Sequence, residues 1–295
     1  MSANQNEAPA VVVGFDGSAC ARGALLFASA EAALRRRPLR VVYVREGPYW
    51  PGPGAAAVLT AAAEILHRAG SGVRAVYADD DGGAGDRLVA HSRGAELVVV
   101  GRGEGSVLGP LLGSVASDVV RRAACPAVVV SDDGSSYHPG EGDVVVGVDP
   151  AGDREGPLAA AFAEAHARNA GLVAVHAWSG AVPAGLGIDT FAKVVPDEAL
   201  ATAGRRLHEA VHAVHARYPV VPVTEVVQAG RPGKVLLAAA EGARLVVVGS
   251  RRNRTAAGAL LGSVGQYLVR HAQCPVMVAR PARAPTHALL VVGGP

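Results

Sequence analysis

The chain has 295 residues, of which 50% are hydrophobic and 18% charged, and its formal net charge at pH 7 is +2. This length fits two domains of ordinary size, and the near-neutral charge argues against a nucleic-acid-binding or anionic-membrane surface. No secretory signal opens the chain and no apolar run approaches the ~18 residues of a membrane helix, so we expect a cytoplasmic protein.

Predicted strands and helices alternate along the first half of the chain. The apolar run VVVGFD at 11–16 predicts a strand buried on both faces of a parallel sheet, and Ser18 predicts the N-cap of a helix reaching about Arg37. The remaining elements are predicted as strands at 39–44, 73–77, 97–100 and 127–130, helices at 55–69, 86–93 and 114–123, and loops at 47–54 and 79–85.

The second half repeats this order. The stretch LVVVGRGEGSVLGPLLGSV at 97–115 recurs as LVVVGSRRNRTAAGALLGSV at 245–264, and each copy is followed by Cys-Pro and another apolar run. The elements are predicted as strands at 144–148, 172–178, 221–227, 245–248 and 276–279, helices at 155–169, 197–216, 233–241 and 263–272, and a loop at 179–196.

This alternation predicts an α/β fold of two tandem, open parallel-sheet, Rossmann-like domains with helices on both faces. The turn-rich segment 131–143 predicts the boundary, which gives domains 1–138 and 139–295. Residues 281–295 lie outside the repeat, and we expect a loose tail there, with an added edge strand as the alternative.

Glycines before a predicted helix predict a phosphate site, because the first turn of a helix offers unpaired N–H groups and a positive dipole end. In the first half these residues are Gly101, Gly103, Gly113 and Ser114. Asp16 ends the first strand at the same edge of the sheet, where its carboxylate could accept a hydrogen bond from a ribose hydroxyl. The alternative is that Gly-Ser only turns the chain and caps the helix.

Several motifs together resemble the universal stress protein family (UspA-like) over residues 10–280: tandem VVVG-x-D openings, Val-His-Ala-Trp at 175–178, loops ending Leu-Leu-Gly-Ser-Val, and Cys-Pro strands. The resemblance implies an adenine-nucleotide alpha hydrolase-like fold. In its nucleotide-binding branch a G-x2-G-x9-G-[S/T] loop cradles the ATP phosphates, an Asp contacts the ribose and backbone after strand 2 reads adenine. The implied contacts are Asp16, Val44, Gly101, Gly103, Gly113, Ser114 and Val115 in the first half, and Asp149, Ala177, Gly249, Arg252, Gly262, Ser263 and Val264 in the second.

The first loop departs from this pattern because Gly101 and Gly103 are one residue too close together. We therefore expect a tighter outer turn that uses Arg102 or Gly105.

The second loop has the full spacing, but Arg252 replaces the second glycine. Its side chain would either block close approach to phosphate or, with Arg251 or Arg254, supply charge-assisted hydrogen bonds. Pro150 also removes an N–H group beside Asp149, and we therefore rank the first site above the second.

The predicted function is ATP binding, with or without magnesium, by a stress sensor or regulator that is not an enzyme, although slow hydrolysis is left open. The resemblance implies that the two halves pair through strands at 126–130 and 275–279 as an internal pseudo-dimer. A homodimer and a regulatory protein partner are further expectations. The alternative is a nucleotide-free dimerising module, which the short first loop and Arg252 favour.

Residues 208–212, HEAVH, match the HExxH signature of zinc hydrolases, which is a remote alternative function. Leu207, Val211 and Val214 form an apolar stripe that explains this helix without zinc.

Three cysteines form neither a disulfide framework nor a CxxC metal pair, which favours a reducing compartment. We predict no catalytic residue and no metal site.

Overall fold

The computed structural model describes residues 8–45, 54–103, 112–131, 141–150, 152, 155–178, 197–252 and 259–280. Gly105, Arg254, most of the predicted loops and boundary, and the tail 281–295 lie outside these ranges. The first half contains β1 (Val11–Gly14), α1 (Ala19–Arg35), β2 (Leu39–Arg45), α2 (Ala55–Arg68), β3 (Ala75–Asp81), α3 (Ala84–His91), β4 (Leu97–Gly101), α4 (Ser114–Arg122) and β5 (Ala127–Val130).

The second half repeats the same succession of elements. It contains β6 (Val144–Gly147), α5 (Glu155–Ala167), β7 (Leu172–Trp178), α6 (Asp197–His215), β8 (Val223–Ala229), α7 (Pro232–Ala239), β9 (Leu245–Gly249), β10 (Arg251–Arg252), β11 (Ala259–Leu260), α8 (Ser263–His271) and β12 (Val276–Ala279). Among the described helices, none combines the length and the apolar character that crossing a bilayer requires.

Ten of the strands form one continuous sheet in the order β3-β2-β1-β4-β5-β12-β9-β6-β7-β8. Neighbouring strands are parallel within each half, which confirms the predicted parallel α/β fold. The halves join through the antiparallel pair β5 and β12, in which Met277 lies opposite Val128. This is the pairing that the family resemblance implies for strands 126–130 and 275–279.

The sheet is buried on both faces because its central strands are continuous apolar runs. One face packs against α1, α2, α5 and α6, with Leu25 and Phe162 fully buried. The other face packs against α3, α4, α7 and α8. As predicted, Ser18 caps α1: its Oγ accepts a hydrogen bond from the N–H of Ala21 at 3.2 Å.

The predictions for the two edge strands are wrong in position. β3 runs from Ala75 to Asp81, so residues 79–81 belong to a strand and not to the predicted loop, and β8 begins two residues later than predicted. An edge strand is half-exposed, so its polar residues are tolerated as long as the backbone ladder continues. β2 pairs with β3 as far as Arg45 opposite Asp81, and the Arg45 side chain lies 3.0 Å from the Asp81 carboxylate.

Four charged residues form a ring where α1 of one half meets α5 of the other. Arg35 contacts the carboxylates of Glu31 and Glu164, and Arg168 contacts the same two carboxylates. The exposed fractions of these side chains lie between 4% and 12%. Burial raises the pKa of Glu31, against the opposing effect of the guanidinium groups of Arg168 and Arg35. We call this ring the charge quartet.

Removing one charge from the quartet should destabilise the protein. Glu31→Gln keeps the shape of the side chain but leaves two buried guanidinium groups sharing Glu164, so we expect a loss of about 3–5 kcal/mol in the free energy of unfolding. Urea unfolding followed by circular dichroism measures this. Glu64→Gln is the control, because the Glu64–Arg68 pair has the same i,i+4 spacing but is 64% and 72% exposed. It should cost at most about 1 kcal/mol. Equal losses in the two variants would contradict the account.

Candidate functional site

The carboxyl ends of β1, β2 and β4 meet at one edge of the first half, because these three strands are adjacent and parallel. Asp16 follows β1 there and is exposed. Its Oδ1 accepts a hydrogen bond from the N–H of Ser18 at 2.9 Å. Among the described residues, Oδ2 of Asp16 has no protein partner. The carboxylate is therefore oriented by its own turn and still presents an acceptor to the edge.

Two glycines of the first loop hold backbone segments in close contact. A Cβ on Gly101 would lie 2.7 Å from the carbonyl carbon of Cys20 in α1, so only glycine fits at the end of β4. Gly103 has a φ of +88°, and a Cβ there would lie 3.2 Å from the Cα of Gly113. The N–H of Gly113 donates to the carbonyl of Arg102 at 2.9 Å. The tighter turn predicted for the shortened loop therefore closes through the backbone of Arg102.

The N-terminus of α4 lies at the same edge. Gly113 occupies its N-cap position and, having no side chain, makes no side-chain cap hydrogen bond to the first-turn N–H groups. The alternative, in which Gly-Ser only turns the chain and caps the helix, also places Gly113 at the N-cap, so this position does not separate the two interpretations. Ser114 is exposed at the first position of the helix, while Val44 at the end of β2 and Val115 are half-buried. Open N–H groups beside an exposed hydroxyl suit an anion.

In the second half the equivalent edge encloses a cavity of about 630 Å³. It lies between the ends of β6, β7 and β9 and the beginnings of α5, α7 and α8. Five of the predicted second-half residues line it: Asp149, Ala177, Gly249, Gly262 and Val264. A Cβ on Gly249 would lie 2.8 Å from Cγ of Pro157, so this loop also needs glycine at the end of its strand.

The other two predicted second-half residues lie beside the cavity. Ser263 is exposed at the first position of α8, whose N-cap is Gly262 without a side-chain bond. Arg252 lies in β10, where it is opposite Ala259 of β11, and its side chain is outside the described set. Its effect on phosphate therefore stays a prediction. Pro150 is buried, and the turn after it closes by a 2.9 Å hydrogen bond from Gly152 N–H to the Asp149 carbonyl.

Sequence reasoning missed three polar or aromatic side chains of this cavity. His176 and Trp178 line it on either side of Ala177, and Nδ1 of His176 lies 3.0 Å from the Val148 carbonyl. Ser250 also lines it, is 7% exposed, and its Oγ has no partner among the described residues. The position of His176 and Trp178 beside a predicted adenine contact was an available signal. No sequence pattern around Ser250, which follows Gly249, indicates that it belongs to the site.

The HEAVH segment lies in α6, on a face of the sheet and away from this edge. His208 is 66% exposed, and its Nδ1 lies 3.1 Å from Oε1 of Glu225 in β8. Its ring stacks on that of His212 at 5.6 Å between centroids. In the part of the chain that the structure describes, no three histidine, cysteine or acidic side chains are grouped to hold a metal ion.

The two cysteines at strand starts are not placed to act as nucleophiles. Burial raises the pKa of Cys125 to about 12 and the pKa of Cys274 to about 11. A thiol with such a pKa is almost entirely protonated at neutral pH and therefore a poor nucleophile. Both cysteines contribute to the apolar core instead.

A family model described as the universal stress protein family matches residues 9–131 and 142–280. The universal stress protein Rv2623 of Mycobacterium tuberculosis is 37% identical, over 93% of this chain and 97% of its own. A universal stress protein structure from Archaeoglobus fulgidus has the same fold, with a TM-score of 0.65, 18% identity, and coverage of 92% of this chain and 98% of its own. A universal stress protein solved in complex with cAMP matches 43% of this chain and 99% of its own, with 31% identity and a TM-score of 0.36.

The close approach at Gly101 predicts that its substitution is costly. In Gly101→Ala the new Cβ meets the backbone of Cys20, which cannot rotate away, so we expect a loss of about 1–3 kcal/mol in the free energy of unfolding. Gly204→Ala is the matched control, because no atom lies within 4 Å of a Cβ at this position in α6. It should gain up to about 1 kcal/mol. Urea midpoints that move in the same direction in both variants would refute the contact.

Proposed function

The chain belongs to the universal stress protein family, and we propose on that basis that it binds ATP at the carboxyl edge of its sheet as a sensor or regulator. The observation that supports this proposal most strongly is the cavity of the second half. It brings residues from three strand ends and three helix starts, distant in sequence, to a single space of about 630 Å³. That volume is within the range of ligand pockets, roughly 300–1,000 Å³.

Each part of a nucleotide has a suitable partner in this cavity. The backbone of Ala177, between His176 and Trp178, would meet the adenine ring. The carboxylate of Asp149 would accept from the ribose hydroxyls. The N–H groups that begin α8 at Gly262 would meet the phosphates, with the positive end of the helix dipole behind them. If magnesium accompanies ATP, it would add to the phosphate contacts.

The first half offers the same groups at its own edge. Asp16 presents a carboxylate oxygen that has no partner among the described residues, and Val44 lies one residue before the end of the adjacent strand β2. At the start of α4, the N–H of Gly113 donates to the carbonyl of Arg102. We propose a second nucleotide site here. Because Arg252 replaces a loop glycine in the second half, we predict that the first-half site binds nucleotide better than the second-half site. This ranking stays a prediction.

We propose a regulatory role rather than catalysis. Among the described residues that line the cavity, the titratable ones are Asp149 and His176. Nδ1 of His176 is engaged with the Val148 carbonyl, so the pair is not arranged as base and orienting partner for a water molecule. Any hydrolysis would therefore be slow. Bound ATP would instead stabilise the conformation that it binds.

Several wider expectations accompany this proposal. We propose domains at 1–138 and 139–295, a cytoplasmic location and a regulatory protein partner. The β5–β12 pair already makes the chain an internal pseudo-dimer, so a homodimer would have to use other surfaces. The second candidate function is a nucleotide-free dimerising module. The shortened turn at Arg102 favours it, because it leaves less room between Gly101 and Gly103 for a phosphate.

The proposal predicts that ATP changes the fluorescence of Trp178. The chain has two tryptophans, so Trp50→Phe leaves Trp178 as the single reporter of the second-half cavity. In that background Gly262→Val should weaken the response to ATP at least tenfold, which corresponds to about 1.4 kcal/mol, because its side chain enters the phosphate space.

The matched variant Gly113→Val alters the first half only and should leave the Trp178 response intact while removing binding elsewhere. Gly204→Ala, which lies on α6, controls for general effects of replacing a glycine. Nucleotide-stripped protein that shows neither a fluorescence change nor ATP retention in equilibrium dialysis would select the nucleotide-free module instead.

A further inference from the structure

A second cavity lies at the opposite edge of the sheet, where the strands of the first half begin. Its volume is about 650 Å³. The buried residues Ala10, Ala32 and Leu39 form its apolar floor, from the approach to β1, the last turns of α1 and the start of β2. The turn before β3 closes the remaining side. This cavity is separate from the proposed nucleotide edge, which lies at the other end of the same strands.

Arginines are the charged residues that line this cavity in the described part of the chain. Arg36, Arg37, Arg40 and Arg74 all line the cavity, and no acidic residue lines it among the described part of the chain. Arg37 is paired with Glu96, with 2.5 Å between Nε and Oε2. We call the four residues the arginine rim. Guanidinium groups form charge-assisted, bidentate hydrogen bonds with phosphate oxygens.

The second half of the chain provides an internal test of whether the fold needs these arginines. Val11 pairs with Leu39 just as Val144 pairs with Leu172, and Leu39 pairs with Ala75 just as Leu172 pairs with Val223. These registers align the arginine rim with residues of the second half that carry no charge. Arg36, Arg37, Arg40 and Arg74 correspond to Asn169, Ala170, Val173 and Pro222.

The backbone at the equivalent places is the same. Arg37 N–H donates to the Ala32 carbonyl at 2.9 Å, and Ala170 N–H donates to the Ala165 carbonyl at 3.0 Å. Arg36 and Asn169 are both left-handed, with φ of 53° and 49°. Asparagine is favoured in that conformation over arginine. The turn therefore forms without arginine. The left-handed backbone at Arg36 would be adopted more readily by asparagine, so the turn itself does not require arginine at this position.

From the arginine rim, its cavity and its uncharged counterpart in the second half, we propose that this cavity binds a small, multiply phosphorylated anion. The apolar floor would carry the body of the ligand, and the arginine rim would hold its phosphate groups. The site does not depend on the proposed ATP binding, because it lies at the other edge of the sheet and shares no residue with it.

The test uses tripolyphosphate as the probe and isothermal calorimetry of the full chain. The variant Arg36→Asn, Arg40→Val, Arg74→Pro transplants the residues of the second half onto the same backbone. Made in the Gly113→Val, Gly262→Val background, which disables both proposed nucleotide loops, it should weaken tripolyphosphate binding at least tenfold relative to that background, while the melting temperature stays equal to or above that of the background. Arg36→Asn alone should weaken tripolyphosphate binding severalfold. If the triple variant does not fold, the affinity of this single variant tests the proposal instead.

The control is the double variant Gly113→Val, Gly262→Val, which disables both proposed nucleotide loops. It should lose any tripolyphosphate binding at the glycine loops and keep the binding at the arginine rim. Loss of all tripolyphosphate binding in this control would assign the phosphate to the glycine loops and overturn the proposal. The proposal would also fail if the rim variants lowered the melting temperature but left binding unchanged, since the arginines would then only complement the C-terminal end of α1.

Discussion

The antiparallel pairing of β5 with β12 is the constraint on which the rest of the molecule depends. It makes two parallel five-stranded sets into a single sheet, in which Val276, Met277 and Val278 lie opposite Val129, Val128 and Ala127. All of these residues are buried, so separating the halves would expose apolar surface and free a row of backbone N–H and C=O groups. Because the pair is antiparallel, the two halves are related by a pseudo-twofold arrangement, and each presents its own strand ends as a candidate site.

Polar contacts across this junction complete it on both faces. On one face the charge quartet joins α1 to α5. Its desolvation cost makes it a weak source of net stability, and its value lies in fixing which helices meet. On the other face, Nη1 of Arg102 donates to the Arg270 carbonyl at 3.0 Å, and Arg280 donates to the Val120 carbonyl. Arginines thus meet the carboxyl ends of α8 and α4, where positive charge is favoured. The glycine loops therefore lie on helices that are anchored in the opposite half.

The fold could be predicted from the sequence wherever burial dictates composition. The runs at 11–14 and 97–101 are apolar because both faces of their strands are covered, and the duplicated loop revealed the repeat. The end of the edge strand β3 could not be predicted, because the backbone ladder continues through three aspartates at 79–81. The site was predicted through its glycines. His176, Trp178 and Ser250 needed the three-dimensional arrangement, since a cavity wall leaves no periodic pattern. The arginine rim, likewise, is visible only when two strand registers are compared.

The central claim is that the carboxyl edges of this sheet hold adenine nucleotide. Calorimetric titration of ATP into the nucleotide-stripped full chain tests it most directly, because the stoichiometry counts the occupied edges. The account predicts that Asp16→Ala and Asp149→Ala each remove one edge from that count and that the double variant binds no ATP, while its unfolding curve stays close to that of the wild type. A double variant that binds ATP with the stoichiometry and affinity of the wild type would contradict the account.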